Sequence, residues 1–155
     1  MSESVDVVEL VDSLAKRRRG RACIVFTHDY SDQAEWAARL AEKTGAEHID
    51  LLDEFSRDPE LSGSMRTMLI PAFFDFLSEK SKARVVVVSG IEFLKATWSA
   101  DRDYARQFAG MVEMWGKTPA LFFVMQYDRK IAQYDFTDRY ADNIYVVDRR
   151  ETIKL

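Results

Sequence analysis

The chain has 155 residues, 47% of them hydrophobic and 31% charged, with a net charge of −4. That length fits one domain, 1–155, with a core large enough to need no metal or disulfide staple. The single cysteine excludes an internal disulfide, and the acidic balance speaks against a protein coated in nucleic acid, although not against a local basic patch.

Val5, Val8, Leu10, Val11 and Leu14 predict an N-terminal helix over 4–18 with one apolar stripe. It ends in "KRRRGR", with cations in the last turn and Gly20 as its C-cap. The acidic start and the spaced apolar residues do not make a secretory signal, and no apolar run approaches the ~20 residues that span a bilayer. A cytoplasmic protein is the expectation. "ACIVF" is a buried strand in which Cys23 is a small hydrophobe. Ser31 or Asp32 caps the next helix, whose apolar face carries Trp36, Ala37, Leu40 and Ala41 and which Gly45 stops.

"EHIDLL" reads as a second strand and "SRDPELSG" as a polar loop. A helix follows from about Ser64 to Lys80, with Met65, Met68, Leu69, Phe73, Phe76 and Leu77 towards the core. "RVVVVSG" is apolar on both faces, hence central and parallel. A helix reaches Trp115, "ALFFVMQ" is another buried strand, and a helical region of about 129–139 leads to the strand "NIYVVD". This alternation without hairpin signals predicts an α/β fold, a five-stranded parallel sheet with helices on both faces.

The segment between Phe26 and the second helix, "THDYSDQA", has the length of the phosphate-loop pattern G-x-x-x-x-G-K-[ST]. That pattern works through glycines that let backbone amides face phosphate, a helix N-terminus, and a lysine. Thr27 stands at the first glycine, Asp32 at the second, Gln33 at the lysine and Ala34 at the hydroxyl. Asp29 and Asp32 put carboxylates where triphosphate would lie. The magnesium strand of such folds ends in acid; here "VVVV" is followed by Ser89 and Gly90, with Glu92 two residues on, while Gln126 ends the strand "LFFVMQ" as a sensor residue would.

In this arrangement, over about residues 21–148, the chain resembles the AAA/RecA branch of P-loop NTPases. The resemblance implies a sheet order of 5-1-4-3-2, in which the Ala22 strand lies between Ala120–Gln126 and Asn143–Val147. With both motifs substituted, it implies a pseudoenzyme without cofactor: a non-catalytic interaction module in a larger assembly. A short P-loop-type chain with "SGIEFL" after its central strand is also similar to the small P-loop component of type 3 BREX phage-exclusion systems, which implies a role in anti-phage defence.

Other readings stay open. His28, Asp29, Asp50, Asp53, Glu54 and Glu92 follow strands, and a nucleotide- or divalent-metal-dependent hydrolase can be built from such residues; His48 stands isolated. Lys16, Arg17, Arg18, Arg19 and Arg21 can meet a partner protein or a nucleic-acid backbone, or serve as a solvated helix end. "DRDYARQ" reads as a solvated helix face. Trp98, Tyr127 and Tyr134 fall outside core spacing and are expected as exposed contacts at the C-terminal edge of the sheet.

Overall fold

The computed structural model describes residues 5–28, 30–136, 144–148 and 153–154. Asp29, Asn143, the first residue of the expected N-terminal helix and the last three of the expected 129–139 helical region lie outside them.

The main sheet has five strands: β2 (Ala22–Thr27), β3 (Glu47–Asp50), β4 (Val85–Ser89), β5 (Ala120–Gln126) and β6 (Val146–Asp148). All its pairings are parallel, and the order is β3-β4-β5-β2-β6. Counting these strands alone, that is 5-1-4-3-2 read from the β6 edge. Every residue of β2 and β4 is buried, as is β5 up to Gln126. Strands buried on both faces need a layer on each side, and alternate residues do divide between two cores. Ile24, Phe26, Val86, Val88, Phe123 and Met125 belong to one, Cys23, Val25, Val87, Phe122 and Val124 to the other.

The second core is closed by α1 (Val7–Leu14) and α2 (Gln33–Thr44). The first is closed by α3 (Leu51–Arg57), α5 (Ile70–Lys80), α6 (Glu92–Trp98), α7 (Tyr104–Met114) and the short α8 (Arg129–Ala132). Its centre is aromatic: Phe108 and Phe123 meet at 5.1 Å between ring centroids, Phe74 and Phe123 at 5.6 Å. Gly45 ends α2 in the left-handed region at φ 71, as its position in the sequence indicates.

Several local expectations need correction. The N-terminal helix is shorter than 4–18. Val5–Asp6 form β1, parallel to β7 (Ile153–Lys154), and Asp6 caps α1 by accepting the Glu9 amide. The buried stripe is Val7, Leu10, Val11 and Leu14, a helical period that starts two residues late. No cation lies in the last turn of α1, and Ala15, not Gly20, is the C-cap. Gly20 instead holds φ 61 where an added Cβ would sit 2.3 Å from the Tyr145 hydroxyl; the glycine lets Tyr145 pack close.

"SRDPELSG" is helical, divided between α3 and α4 (Pro59–Ser64). Asp58 caps α4 by accepting the Glu60 and Leu61 amides, and Pro59 stands in its first turn. The helix expected from Ser64 starts only at Ile70, with Pro71 in its first turn, and this leaves Leu69 exposed at the N-cap rather than in the core. Trp98 is 4% exposed, not a surface contact; its indole N–H donates to the Met68 carbonyl at 2.8 Å. Tyr134 is half-buried against Phe136, and Tyr127 is exposed as expected. The "DRDYARQ" face is solvated except for Tyr104 and Ala105, which are buried.

The basic segment forms the loop between α1 and β2, at the N-terminal edge of the sheet. Arg21 donates to the carbonyls of Lys117 (3.2 Å), Ala15 (3.0 Å) and Arg17, and Arg17 to those of Gly20 (3.1 Å) and Ile144 (3.3 Å). These two arginines brace the loop, whereas Lys16, Arg18 and Arg19 are exposed. Arg21→Ala is expected to lower stability by about 1–3 kcal/mol, and Lys16→Ala or Arg18→Ala to stay within about 0.5 kcal/mol. Urea denaturation of the three variants checks this; equal effects at positions 18 and 21 would remove the bracing role.

Candidate functional site

Because all five strands run parallel, their C-terminal ends meet at one edge, and Thr27, Asp50, Ser89, Gln126 and Asp148 stand there. In open α/β sheets this edge carries the sites. Of the residues aligned with phosphate-loop and magnesium positions, Thr27, Gln33, Ser89 and Gly90 come together directly.

Gln33 opens α2 and is 2% exposed. Its carbonyl oxygen accepts the Gly90 amide at 3.0 Å, and its amide NH2 donates to the Thr27 hydroxyl at 3.4 Å. Gly90 can only donate through its N–H, so the amide oxygen must face it. Thr27, 0% exposed, passes the chain of bonds on to the Met125 carbonyl at 3.3 Å. One neutral side chain thus ties α2 to the ends of β2 and β4, and through Thr27 to β5, at the position aligned with a phosphate-gripping lysine.

The loop before α2 is equally unlike a phosphate cradle. Residues Tyr30–Asp32 form a short 3-10 turn, and Asp32 has φ −107. Asp32 is the N-cap residue of α2, but it makes no side-chain capping bond to the helix. Among the described residues, the positive-φ glycines are Gly20, Gly45 and Gly90, none of them in this loop. Gly90, at φ 72, is required where it stands: a Cβ would lie 2.5 Å from Asp50 Oδ1 and 2.9 Å from the Leu52 amide nitrogen.

A cavity of about 210 Å3 remains, lined by Ser31, Gln33, Ala34, Asp50, Leu52 and Gly90. It has room for about seven waters at ~30 Å3 each. Asp50 is the one formal charge among its lining residues.

Three further pairings occupy the edge. His48, isolated in the sequence, bonds the buried Ser89 hydroxyl at 2.8 Å. Burial pushes its pKa below the ordinary 6.5, partly offset by the Asp50 carboxylate. Ser89 is 0% exposed, so this Ser–His contact is a clamp between β3 and β4 and not an accessible nucleophile. His28 Nε2 meets Asp148 Oδ1 at 2.8 Å, and its ring stacks on Tyr127 at 5.1 Å.

Asp128 receives the Lys95 ammonium at 3.0 Å, the Tyr104 hydroxyl at 2.9 Å and the Ile131 amide at 3.1 Å. Burial raises its pKa, but the Ile131 amide, the Lys95 charge and the remaining bonds outweigh that, and it ends below the usual value. Burial, with the bond to Asp128 and the Asp128 charge, pushes Tyr104 up to about 12.

The acids considered for a metal disperse. Asp53 pairs with Arg57 at 2.7 Å and Glu54 with Lys80 at 3.1 Å, both on the surface. Glu92 Oε2 accepts the Gln126 backbone N–H at 2.9 Å, and Glu92 Oε1 is buried without a hydrogen-bond partner. Among the described residues no three His, Cys, Asp or Glu side chains group to hold a metal ion, and no helix is long and apolar enough to cross a membrane.

The His28–Asp148 pair follows from the 5-1 strand adjacency, and Asp128 precedes a short helix as an N-cap would. The Lys95–Asp128–Tyr104 contact carries no local sequence signal. No protein-family model matches the chain, and no curated protein matches its sequence.

Gln33→Leu keeps the volume but strands the Gly90 amide, and is expected to cost about 1–3 kcal/mol in denaturant unfolding; an unchanged midpoint would show that the bridge contributes nothing.

The lowered His48 pKa means that the unfolded chain binds more protons just below pH 6.5. The stability it contributes is complete above about pH 6.5 and is lost as pH falls through the folded-state pKa. His48→Asn is expected to flatten the fall in stability over that window relative to the unaltered protein, measured by unfolding at a series of pH values. Parallel curves would count against it.

Proposed function

We propose that the chain is a non-catalytic protein-interaction module on a degenerate P-loop NTPase frame, one part of a larger assembly. The observation that carries this reading is the buried Gln33 bridge: the residue aligned with the phosphate-gripping lysine is neutral and spends both ends of its amide on Thr27 and Gly90.

Other features support it. The strand order is the one that the resemblance implies. The adjoining cavity, about 210 Å3, is smaller than the ~300–1,000 Å3 of ordinary ligand pockets. Among the described residues no cation lines it, and the one charge, on Asp50, repels phosphate. Ser89 at the magnesium-strand position bonds His48. In this proposal Gln126 and Ala34 are relics of a nucleotide site, and Lys16, Arg18 and Arg19, at the opposite edge of the sheet, face a partner. The resemblance to the small component of type 3 BREX systems supplies the setting: a cytoplasmic anti-phage assembly.

The test is calorimetric titration with ATP and magnesium. The expected outcome is no binding at physiological nucleotide concentration. A low-micromolar site would sink the proposal and make the chain an atypical nucleotide-dependent enzyme instead.

A further inference from the structure

A second concavity, of about 340 Å3, lies between the start of α5, the end of α6 and the start of α7. It shares no lining residue with the cavity beside Gln33. Leu69, Ile70, Pro71, Trp98 and Tyr104 give it a largely apolar surface, and the single formal charge among its described lining residues is Asp101. Leu69 is 61% exposed at its rim, where it contributes little to the core.

Three polar tips in this groove, on Trp98, Tyr104 and Asp101, are fixed in advance. The Trp98 indole N–H is held by the Met68 carbonyl, the Tyr104 hydroxyl by Asp128, and the Asp101 carboxylate accepts the Asp103 amide at 2.8 Å. That bond orients the Asp101 carboxylate and occupies one of its oxygens, Oδ1. A ligand therefore meets walls that need little reordering, which lowers the cost of binding.

An apolar trough with one oriented carboxylate calls for an occupant with an apolar stem and a cationic head. We propose that this groove receives an arginine side chain of a partner protein, its methylenes against Leu69, Pro71 and Trp98 and its guanidinium on Asp101. Arginine fits better than lysine here because its planar head is weakly hydrated and packs on aromatic surfaces. The charge is complementary to a chain that is itself acidic overall. This assignment rests on the reading of the chain as an interaction module and names a further partner contact, apart from Lys16, Arg18 and Arg19.

The probe is N-acetyl-arginine amide, with N-acetyl-citrulline amide as the neutral isostere, followed through the Trp98 indole signal and the amides of Leu69, Ile70 and Thr97 in nitrogen–proton spectra. Saturable shifts with the arginine probe are expected, about fivefold weaker with citrulline, as the upper range for an exposed ion pair allows. Asp101→Asn can keep the bond to the Asp103 amide, and it is expected to bring the arginine probe down to the citrulline level with unchanged thermal unfolding. Equal binding of both probes, shifts centred elsewhere, no shift at millimolar probe, or an Asp101→Asn variant that binds like the parent would each overturn the proposal. A failure here leaves the outcome of the ATP titration untouched, and an ATP site would leave this groove unexplained but intact, so the two readings fail separately.

Discussion

Burial of β2, β4 and β5 on both faces governs the rest of the molecule. A strand covered on both sides has no place for a polar side chain along its length. Polar groups are driven to the strand ends, and parallel pairing puts the C-terminal ends of all five strands at one edge. Helices must then close both faces, α1 and α2 on one and the aromatic layer of α5, α6 and α7 on the other. The location of the candidate site is thus a consequence of core packing before any chemistry is considered.

At that edge the protein spends its polar groups on itself. Gln33 joins the ends of β2 and β4, His48 meets Ser89, His28 meets Asp148, and Asp128 gathers Lys95 and Tyr104. The Gln33 bonds join neutral groups and contribute about 0.5–1.5 kcal/mol each. Losing Lys95 from the partly buried Lys95–Asp128 pair costs more than a neutral bond, although the Tyr104 hydroxyl and the Ile131 amide still serve the carboxylate. The edge is a brace rather than a cradle. Glu92 Oε1 is the exception among the described residues, a buried acceptor with no donor from the protein.

Much of the fold was legible in the sequence because buried parallel strands write themselves as unbroken apolar runs. "ACIVF", "VVVVS" and "ALFFVMQ" need no tertiary information to be recognised, whereas the strand order was an expectation of the resemblance alone and not of any local pattern. Boundaries were less legible where two signals compete. Val5 fits a helical stripe, yet it pairs with Ile153, a contact that no local pattern encodes. Asp58-Pro59-Glu60 is both a turn signature and a helix entry, and the helix wins. Trp98 stands four residues after Leu94, a buried spacing that the surrounding polar residues obscured. At the site, the residue types that are missing could be read off directly. The partners that Gln33, His48 and Asp128 find there could not, since the Gln33–Gly90, His48–Ser89 and Tyr104–Asp128 bonds join residues 24 to 57 positions apart.

The Gln33 amide also bears on how such a chain can change over generations. Its two ends are chemically different, an acceptor for Gly90 and a donor for Thr27. A lysine has donors alone, so its ammonium would meet the Gly90 N–H head-on, and buried positive charge would find only hydroxyl and carbonyl oxygens nearby. A cation at position 33 therefore requires Gly90 to find another acceptor first, through a rearranged β4–α6 turn. A single substitution to a cation there runs uphill, so the bridge resists exchange of the residue at its centre.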